Sequence, residues 1–417
     1  MHLPSPFSSG PLFRKFLFAV LCAALATLYS HFIFSTYVAS TFATSDAQLV
    51  RAIELEPGRA DYHHRYGRYL YFVRQDVGQA IEHYRLATEL NSRSAPAWLD
   101  LALAHQSLKQ NSQQNHALQR ALAVDPRTPN VAWEAGQQYL AAGDTAAALR
   151  QMRTVIDHDK ITAPAALDLS WRATHDPALM LEQAIPANAN GRVAFLAYLV
   201  EHDEPEGAAL AWKELAGLKQ KFSPELALPY IEFLLSASDP LAAAEVWRVL
   251  QTMEPEFPAF HDESAIVNAS FEQPNIDGGL DWRSQAVQGV NAAIDINHAY
   301  GGKRSLGIVL DGTSIDDVGV FQYLALQPGT RYQFSAFVRS ESIAGQGGLR
   351  FEIAAPQAKT TYYSSPQLPE SDAWQLVRGS FQTPQKIGVA VLRIAHTSAG
   401  EPLRGAFWID ELELIKQ

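Results

Sequence analysis

The sequence predicts a multidomain chain, helical first and β-stranded second, with a transmembrane helix, an α-solenoid and an antiparallel β-sandwich of the jelly-roll type in that order. Three observations support this fold class. A run of 23 residues without Asp, Glu, Lys or Arg covers positions 16–38. A repeat of 34 residues follows it. Most of the chain's 25 glycines then come after residue 262, where short alternating runs replace helical periodicity.

The apolar run 16–38 is long enough to cross a hydrocarbon core of about 30 Å as a helix. Arg14 and Lys15 precede it, and no further Lys or Arg occurs until Arg51. This asymmetry predicts a single-pass signal anchor in the inner (plasma) membrane, with residues 1–15 in the cytoplasm and the bulk of the chain in the periplasm or outside the cell. The alternative is a cleaved signal peptide, which also exports the remainder.

Composition argues against two classes of function. The formal net charge is −11 and no cluster of Lys or Arg is present, whereas proteins that bind phosphate backbones carry a basic face. We therefore expect no nucleic-acid partner. The single cysteine, Cys22, excludes an intrachain disulfide and a cysteine-based zinc site.

The helical region repeats with a nearly constant period. The segments ELEP, ELNS, AVDP and DHDK end at Pro57, Ser92, Pro126 and Lys160, at spacings of 35, 34 and 34 residues. This period is typical of a helix-turn-helix unit that stacks on its neighbours. The histidines His63, His64 and His83 lack an i,i+4 pair, so we expect no metal site there.

The internal positions of the repeats agree with the period. Small and large residues recur at fixed positions: Gly67, Ala80, Tyr84, Trp98, Ala121, Gly136, Tyr139 and Ala148. This pattern resembles the tetratricopeptide-repeat family, with Ala102 in place of a glycine and Gln114 and Lys160 in place of the usual Ala and Pro. The resemblance implies a concave surface that binds peptides or partner proteins.

The repeats fade downstream, but helical pairing continues. Asp176-Pro177 and Asp239-Pro240 predict helix starts, with an N-cap followed by proline at the first helical position. We therefore expect a degenerate solenoid over residues 45–254 that stacks as one elongated unit, and a linker over residues 255–264.

The C-terminal region, residues 265–417, reads as one β-sandwich. In RYQFSAFVR the side chains of Tyr332, Phe334, Ala336 and Val338 alternate and would face inward. Turn signals such as IDGG, YGGK, LDGT and QPGT separate the runs. We expect the first strand at 266–271, followed by a turn at Asp277-Gly278-Gly279.

The order of short motifs in this region resembles carbohydrate-binding modules with a galactose-binding-like jelly roll. The matching positions are Asn268, Phe271 and Glu272, then Gly302, Ser305 and Leu306, then Pro328, Gly329 and Tyr332, then Trp374, and last Trp408 and Asp410. Each motif is short and common, and the order of the five carries the resemblance.

The resemblance implies a structural calcium ion. Calcium prefers hard oxygen ligands such as carboxylates and backbone carbonyls. By position, the ligands would come from Glu272, Gly302, Ser305 and Asp410, with carboxylates from the first and last and carbonyls near the other two. The alternative is that no metal binds and Glu272 pairs with Arg283 or Arg304.

The resemblance also implies a sugar site that uses exposed aromatic side chains. The candidates are Tyr323, Tyr362, Tyr363 and Trp282. Because adjacent strand residues face opposite ways, only one of Tyr362 and Tyr363 can lie on a given face. For Trp282, a role as a core or strand-edge anchor is the alternative.

Catalytic motifs are not found. The sequence has no GxSxG, HExxH, phosphate-binding glycine-rich loop or dinucleotide fingerprint. The acidic loop Asp311–Asp317 is ordinary turn chemistry, although paired carboxylates across a cleft would suit glycoside hydrolysis. We therefore expect a protein that is not an enzyme.

The combination of anchor, repeats and module is similar in architecture to accessory proteins of bacterial exopolysaccharide synthesis and export. It predicts an exported, membrane-anchored scaffold that binds proteins through the solenoid and polysaccharide through the sandwich. The alternatives are a purely structural assembly factor and a divergent polysaccharide-processing enzyme.

Overall fold

A computed structural model describes residues 46–260, 263–356 and 360–417, together with Val20, Leu25 and Ala26. The predicted cytoplasmic segment 1–15 and, apart from these three residues, the predicted anchor 16–38 lie outside this described part. Within it, no helix combines the length and the apolar character that a bilayer crossing requires. The chain divides into two compact units between Pro186 and Ala187, and each is described separately.

The first unit is helical where it is described. Its helices are α1 Asp46–Leu55, α2 Ala60–Tyr69, α3 Val77–Leu90, α4 Ala95–Ser107, α5 Asn111–Val124, α6 Pro129–Ala141, α7 Thr145–His158, α8 Ala163–Thr174 and α9 Pro177–Leu179. The π-helical turns Leu70–Arg74 and Met180–Ala184 extend α2 and α9. The pairs α2/α3, α4/α5 and α6/α7 coincide with the predicted repeats, which confirms the helical periodicity.

Small residues let the two helices of a repeat approach closely. A Cβ added to Gly67 would lie 2.7 Å from the ring of Tyr84, and one added to Gly136 would lie 2.6 Å from the methyl group of Met152. Ala102 occupies the equivalent position of the middle repeat and is fully buried. At Gly67 the neighbour is a rigid ring, whereas at Gly136 it is the flexible end of a methionine side chain.

Aspartates cap several of these helices. The carboxylate of Asp144 accepts the backbone N–H of Ala147 at 2.9 Å. Asp176 and Asp239 cap helices that have proline at the first helical position, which confirms both predicted helix starts. Such a cap contributes about 1 kcal/mol to helix stability.

The second unit joins four α-helices to ten strands among its described residues. The helices are α10 Ala189–Glu201, α11 Pro205–Gly217, α12 Leu228–Ser236 and α13 Pro240–Met253, with a 3₁₀ turn at Pro224–Ala227. The strands are β1 Arg283–Ser284, β2 Val290–Asp295, β3 Ser305–Ser314, β4 Asp317–Leu324, β5 Arg331–Gly345, β6 Leu349–Ala354, β7 Thr361–Ser364, β8 Gln375–Gln382, β9 Ala390–His396 and β10 Pro402–Lys416.

The strands form two antiparallel sheets packed face to face. The first sheet has the order β1–β4–β9–β6–β7 and the second the order β2–β3–β10–β5–β8. The alternating residues of β5 are buried between the sheets, with Phe334 against Phe351 of the first sheet at a ring separation of 5.0 Å. The predicted antiparallel sandwich and the inward face of RYQFSAFVR are confirmed.

The segment predicted as the first strand, 266–271, is irregular instead. Asn268 and Phe271 have φ values of 49° and 57°, which extended strands do not adopt. The Asn268 side chain both donates to and accepts from the backbone of Gln273. These local bonds replace a β ladder, and the segment is buried against the sandwich as a loop.

The predicted extent 45–254 for one solenoid does not match the two compact units, because α10 to α13 group with the sandwich. Trp247 of α13 is fully buried and its indole N–H donates to the carbonyl of Pro258 at 2.7 Å. Its ring also lies against Gly279 of the sandwich, where an added Cβ would collide with it. The described part of the predicted linker 255–264 is thus packed against α13.

Candidate functional site

The outer face of the first sheet carries aromatic and charged side chains. The strand register pairs Arg283 with Phe321, which places them on the side opposite the core. Phe321 and Tyr323 meet edge to face at 5.7 Å, and the Arg283 guanidinium lies 4.7 Å from the centre of the Tyr323 ring. This cation–aromatic contact fixes one ring on the face.

Two arginines flank one buried carboxylate on the same face. Glu352 accepts hydrogen bonds from Nε of Arg350 at 2.8 Å and from Nη2 of Arg393 at 2.9 Å. The Glu352 side chain is 5% exposed, whereas those of Arg350 and Arg393 are 34% and 43% exposed. Because two guanidinium groups share one carboxylate, this cluster has a net positive charge and keeps N–H groups that can donate to a ligand.

A cavity of about 600 Å³ lies at one end of this face. Its residues come from the strand ends of the first sheet and from α12 with the turn after it. They are Tyr323, Ala355, Pro356, Tyr362, Gly388 and Val389 on the sheet side, and Glu232, Leu235, Ser236 and Ser238 on the helical side. A mixed aromatic and polar lining of this size suits a small organic ligand.

The carboxylate of Glu232 joins α12 to the sandwich. It accepts the backbone N–H of Gly279 at 2.7 Å and forms an ion pair with Arg283 at 2.5 Å. Arg283 thus bridges the helix and the Tyr323 ring. This chain of contacts sets the distance between the two sides of the cavity.

Two of the four predicted sugar-contacting residues lie at the cavity. Tyr323 and Tyr362 both line it. Tyr363 is 8% exposed and points between the sheets, where it stacks on Phe381 at 5.4 Å. Burial raises the pKa of the Tyr363 hydroxyl.

Trp282 is also buried, at 2% exposure. It packs on Phe271 at 5.2 Å and its indole N–H donates to the carbonyl of Asn268 at 3.2 Å. The structure therefore places Trp282 in the core, which was the alternative reading. Neither Trp282 nor Tyr363 offers a ring face to a ligand, and we leave both out of the candidate site.

The charged residues of the face were not predicted. Their positions relative to one another depend on strand register. Spacing within one strand shows only that Phe321 shares a face with Tyr323, and Arg350 with Glu352. Glu232 could not be found from the sequence because its contact with Arg283 spans the helix–sheet boundary.

The four residues predicted to hold calcium meet around one loop, residues 298–305. Glu272 Oε1 accepts the backbone N–H groups of Lys303 at 2.6 Å and Arg304 at 2.8 Å. Gly302 has a φ of 61°, and an added Cβ would collide with the Glu272 carboxylate. The hydroxyl of Ser305 donates to the carbonyl of His298.

Asp410 holds the same loop from the other side. Its Oδ2 accepts the N–H groups of Tyr300 at 2.8 Å and Gly301 at 3.0 Å. Asp410 is fully buried, and burial raises its pKa to about 6. Among the described residues, no three His, Cys, Asp or Glu side chains are grouped to hold a metal ion.

The alternative prediction, that the Glu272 side chain pairs with the side chain of Arg283 or Arg304, differs from what the structure shows. Arg283 pairs with Glu232, and Arg304 offers its backbone N–H to Glu272. Glu272 therefore acts as a support for the loop backbone.

The C-terminal region matches a known family. Residues 263–400 match the family model described as a carbohydrate binding domain. A solved family 4 carbohydrate-binding module is 16% identical, with 36% of this chain and 99% of that chain covered and a TM-score of 0.30. The family 22 xylan-binding module of Paenibacillus barcinonensis Xyn10C is 20% identical, with 36% and 91% covered and a TM-score of 0.25.

The helical region has tetratricopeptide-repeat proteins as structural neighbours. YrrB, a repeat protein of this class with an unusual peptide-binding site, is 13% identical, with 50% of this chain and 92% of that chain covered and a TM-score of 0.24. No curated protein gives a significant match. The family-model match confirms the predicted resemblance of the C-terminal region to carbohydrate-binding modules. The predicted repeats agree with the helix pairs α2/α3, α4/α5 and α6/α7.

Proposed function

We propose that this chain, which carries a C-terminal domain like the carbohydrate-binding modules of families 4 and 22, is a binding and scaffold protein that takes a glycan in the cavity of the first sheet. The supporting observation is that Tyr323 and Tyr362 line one cavity. Tyrosine offers a rigid apolar face for a sugar ring and a polar edge for its hydroxyl groups. The exposed guanidinium groups of Arg350 and Arg393 supply further donors on the same face.

The helical unit would bind a protein partner. In the described structure, His64 and Arg68 of α2 both reach the carboxylate of Asp100 on α4, at 2.7 and 2.8 Å. First helices of successive repeats are thus tied together through a buried carboxylate, and the exposed Arg68 beside it is a polar group that a peptide could reach.

We place the protein in the inner membrane through residues 16–38, with the N-terminus in the cytoplasm and the remainder exported. An anchored scaffold of this composition would serve as an accessory factor in exopolysaccharide or envelope-glycan synthesis or export. The run without Asp, Glu, Lys or Arg and the preceding Arg14 and Lys15 support the orientation.

A structural calcium ion would lie at the loop 298–305. Glu272 and Asp410 supply the hard carboxylate oxygens that such an ion prefers, and in this structure both accept backbone N–H groups of that loop. Burial raises the pKa of the Asp410 carboxyl to about 6. The ion would tie the loop to β10 and stabilise the sandwich.

The glycan proposal is tested by affinity electrophoresis of the full chain in non-ionic detergent, in gels that contain xylan, mixed-linkage β-glucan or alginate. We expect retardation by at least one polysaccharide, and loss of that retardation in Tyr323→Ala and Tyr362→Ala. Tyr300→Ala is the matched control, because Tyr300 is 49% exposed but stacks on Phe337 of the second sheet. No retardation in any gel, or equal loss in all three variants, would contradict the proposal and favour a purely structural role.

A further inference from the structure

The helical side of the cavity presents one face of α12. Glu232, Leu235 and Ser236 stand at positions i, i+3 and i+4, which share one side of a helix. Ser238, in the turn after α12, continues this side. These four residues make α12 and the turn after it one wall of the cavity.

The wall runs across the strands of the first sheet. At its start, Glu232 pairs with Arg283 of β1. At its end, Ser238 lies beside Gly388, just before β9, where an added Cβ would be 3.7 Å from the serine side chain. In the sheet order, β1 and β9 flank β4, so α12 follows the direction that leads from β4 towards β7.

The two tyrosines lie along that same direction. Tyr323 is on β4 and Tyr362 on β7, and these strands are separated by three inter-strand steps, or about 14 Å. A glycan that stacks on both rings would therefore lie alongside α12 between β4 and β9 and continue past it to β7. The sheet provides the aromatic surface, and the helix provides a polar edge.

The wall is anchored at two points. Glu232 is bonded to Gly279 and Arg283, and Trp247 of the next helix is buried against Gly279 with its N–H on Pro258. The Trp247 anchor lies outside the cavity lining, whereas Glu232 lines the cavity and anchors the wall through its Oε1 oxygen. The wall is therefore positioned before any ligand arrives, which lowers the ordering cost of binding.

We propose that the glycan site is composite, with α12 supplying recognition groups that the β-sandwich by itself does not contain. This inference rests on the proposed glycan function. Glu232 accepts hydrogen bonds from sugar hydroxyls through its carboxylate, and Ser236 bounds the cavity opposite the tyrosines. The class of ligand that fits is a single soluble glycan chain held from two sides, because the wall keeps a flat crystalline surface away from the tyrosines.

The test measures the dissociation constant of the full chain in the same xylan, β-glucan and alginate gels, from retardation at several polysaccharide concentrations. Ser236→Trp fills the cavity from the helical side, and we expect about tenfold weaker binding or more. Ala237→Trp is the matched control, since Ala237 is the adjacent exposed residue and does not line the cavity. It should bind within about twofold of the wild type.

A second variant guards against a folding artefact. Glu232→Gln keeps a side chain of the same size with an oxygen for the Gly279 N–H, but it removes the charge that pairs with Arg283. We expect about tenfold weaker binding from the loss of a charged hydrogen-bond acceptor, and Ser236→Trp, which leaves that ion pair intact, separates this effect from a loosened wall. Thermal unfolding checks that each variant is folded. If the wild type is retarded and Tyr323→Ala is not, but Ser236→Trp and Glu232→Gln bind like the wild type, the composite site is overturned and the glycan function stands. If the wild type is not retarded at all, both fail.

Discussion

At the scale of single residues, Asp281 is a carboxylate in a buried environment that disfavours its charged form. Its side chain is fully buried, and burial raises its pKa to about 6. The hydrogen bond that it accepts from the N–H of Ile276 at 2.9 Å lowers the pKa, but by less than burial raises it. The pKa in the folded state lies above the ordinary value of 3.8. The contribution of this group to stability is therefore complete below pH 3.8 and is lost as the pH rises through 6.

We predict that Asp281→Asn stabilises the protein at pH 7.5. The amide keeps an oxygen for the Ile276 N–H but carries no charge, so the gain should reach about 3 kcal/mol and shrink towards pH 4. Urea unfolding of both proteins at pH 7.5 and pH 4 measures this difference. A variant that is less stable than the wild type at pH 7.5 would contradict this prediction, because it would mean that interactions of the Asp281 charge stabilise the fold by more than its burial destabilises it.

The neighbouring pair Tyr362 and Tyr363 shows how far the sequence could define the site. Strand alternation predicted that only one of them faces a ligand, but it could not say which. That choice depends on the register with β6, which places Tyr363 opposite Ile353 and inside the sandwich. The burial of Trp282 was equally undecided, because its partner Phe271 approaches through an irregular loop.

At the scale of elements, the two repeat glycines meet different neighbours. The Cβ of an alanine at position 67 would press on the rigid ring of Tyr84, whereas at position 136 it would press on the flexible end of Met152. Alanine also gains up to about 1 kcal/mol of helix propensity over glycine. The two substitutions should therefore have opposite outcomes.

We predict that Gly67→Ala destabilises the helical unit by about 1–3 kcal/mol through overpacking, and that Gly136→Ala is neutral or stabilising. Chemical denaturation followed by circular dichroism at 222 nm gives both values. Equal loss in the two variants would mean that Met152 is held as firmly as Tyr84.

The loop 298–305 gives the element-scale test of calcium. If the ion binds the folded state, millimolar Ca²⁺ should raise the unfolding temperature, by an amount equivalent to about 2.7 kcal/mol at a hundredfold excess over the dissociation constant. Glu272→Gln should reduce the effect, and Mg²⁺, which prefers a smaller octahedral site, should have little. Differential scanning calorimetry after EDTA treatment measures it, and identical curves with and without Ca²⁺ would refute the ion.

Individual helices and strands could be predicted from the sequence more accurately than the way they group into compact units. A period of 34 residues and capping aspartates locate the helices, because these signals are local. The union of α10 to α13 with the sandwich was not predictable, since it depends on Trp247 meeting Gly279, residues far apart in sequence. The irregular course of 266–271 was missed because side-chain bonds of Asn268 compete with the ladder that its apolar neighbours suggest.

At the scale of the whole molecule, the orientation in the membrane decides where a glycan could be met. We predict that a C-terminal alkaline phosphatase fusion is active, since this reporter folds only outside the cytoplasm, and that deletion of residues 16–38 abolishes the activity. Enzyme assays on whole cells and on fractionated membranes provide the readout. Activity that persists without residues 16–38 would refute the anchor.

The central claim is that a glycan binds along the outer face of the first sheet. A crystal structure of the protein with an oligosaccharide from whichever polysaccharide retards it tests this claim most directly. We expect sugar rings stacked on Tyr323 and Tyr362, with hydroxyl groups within hydrogen-bond distance of Glu232. An oligosaccharide bound on the second sheet, or on the helical unit, would contradict the account.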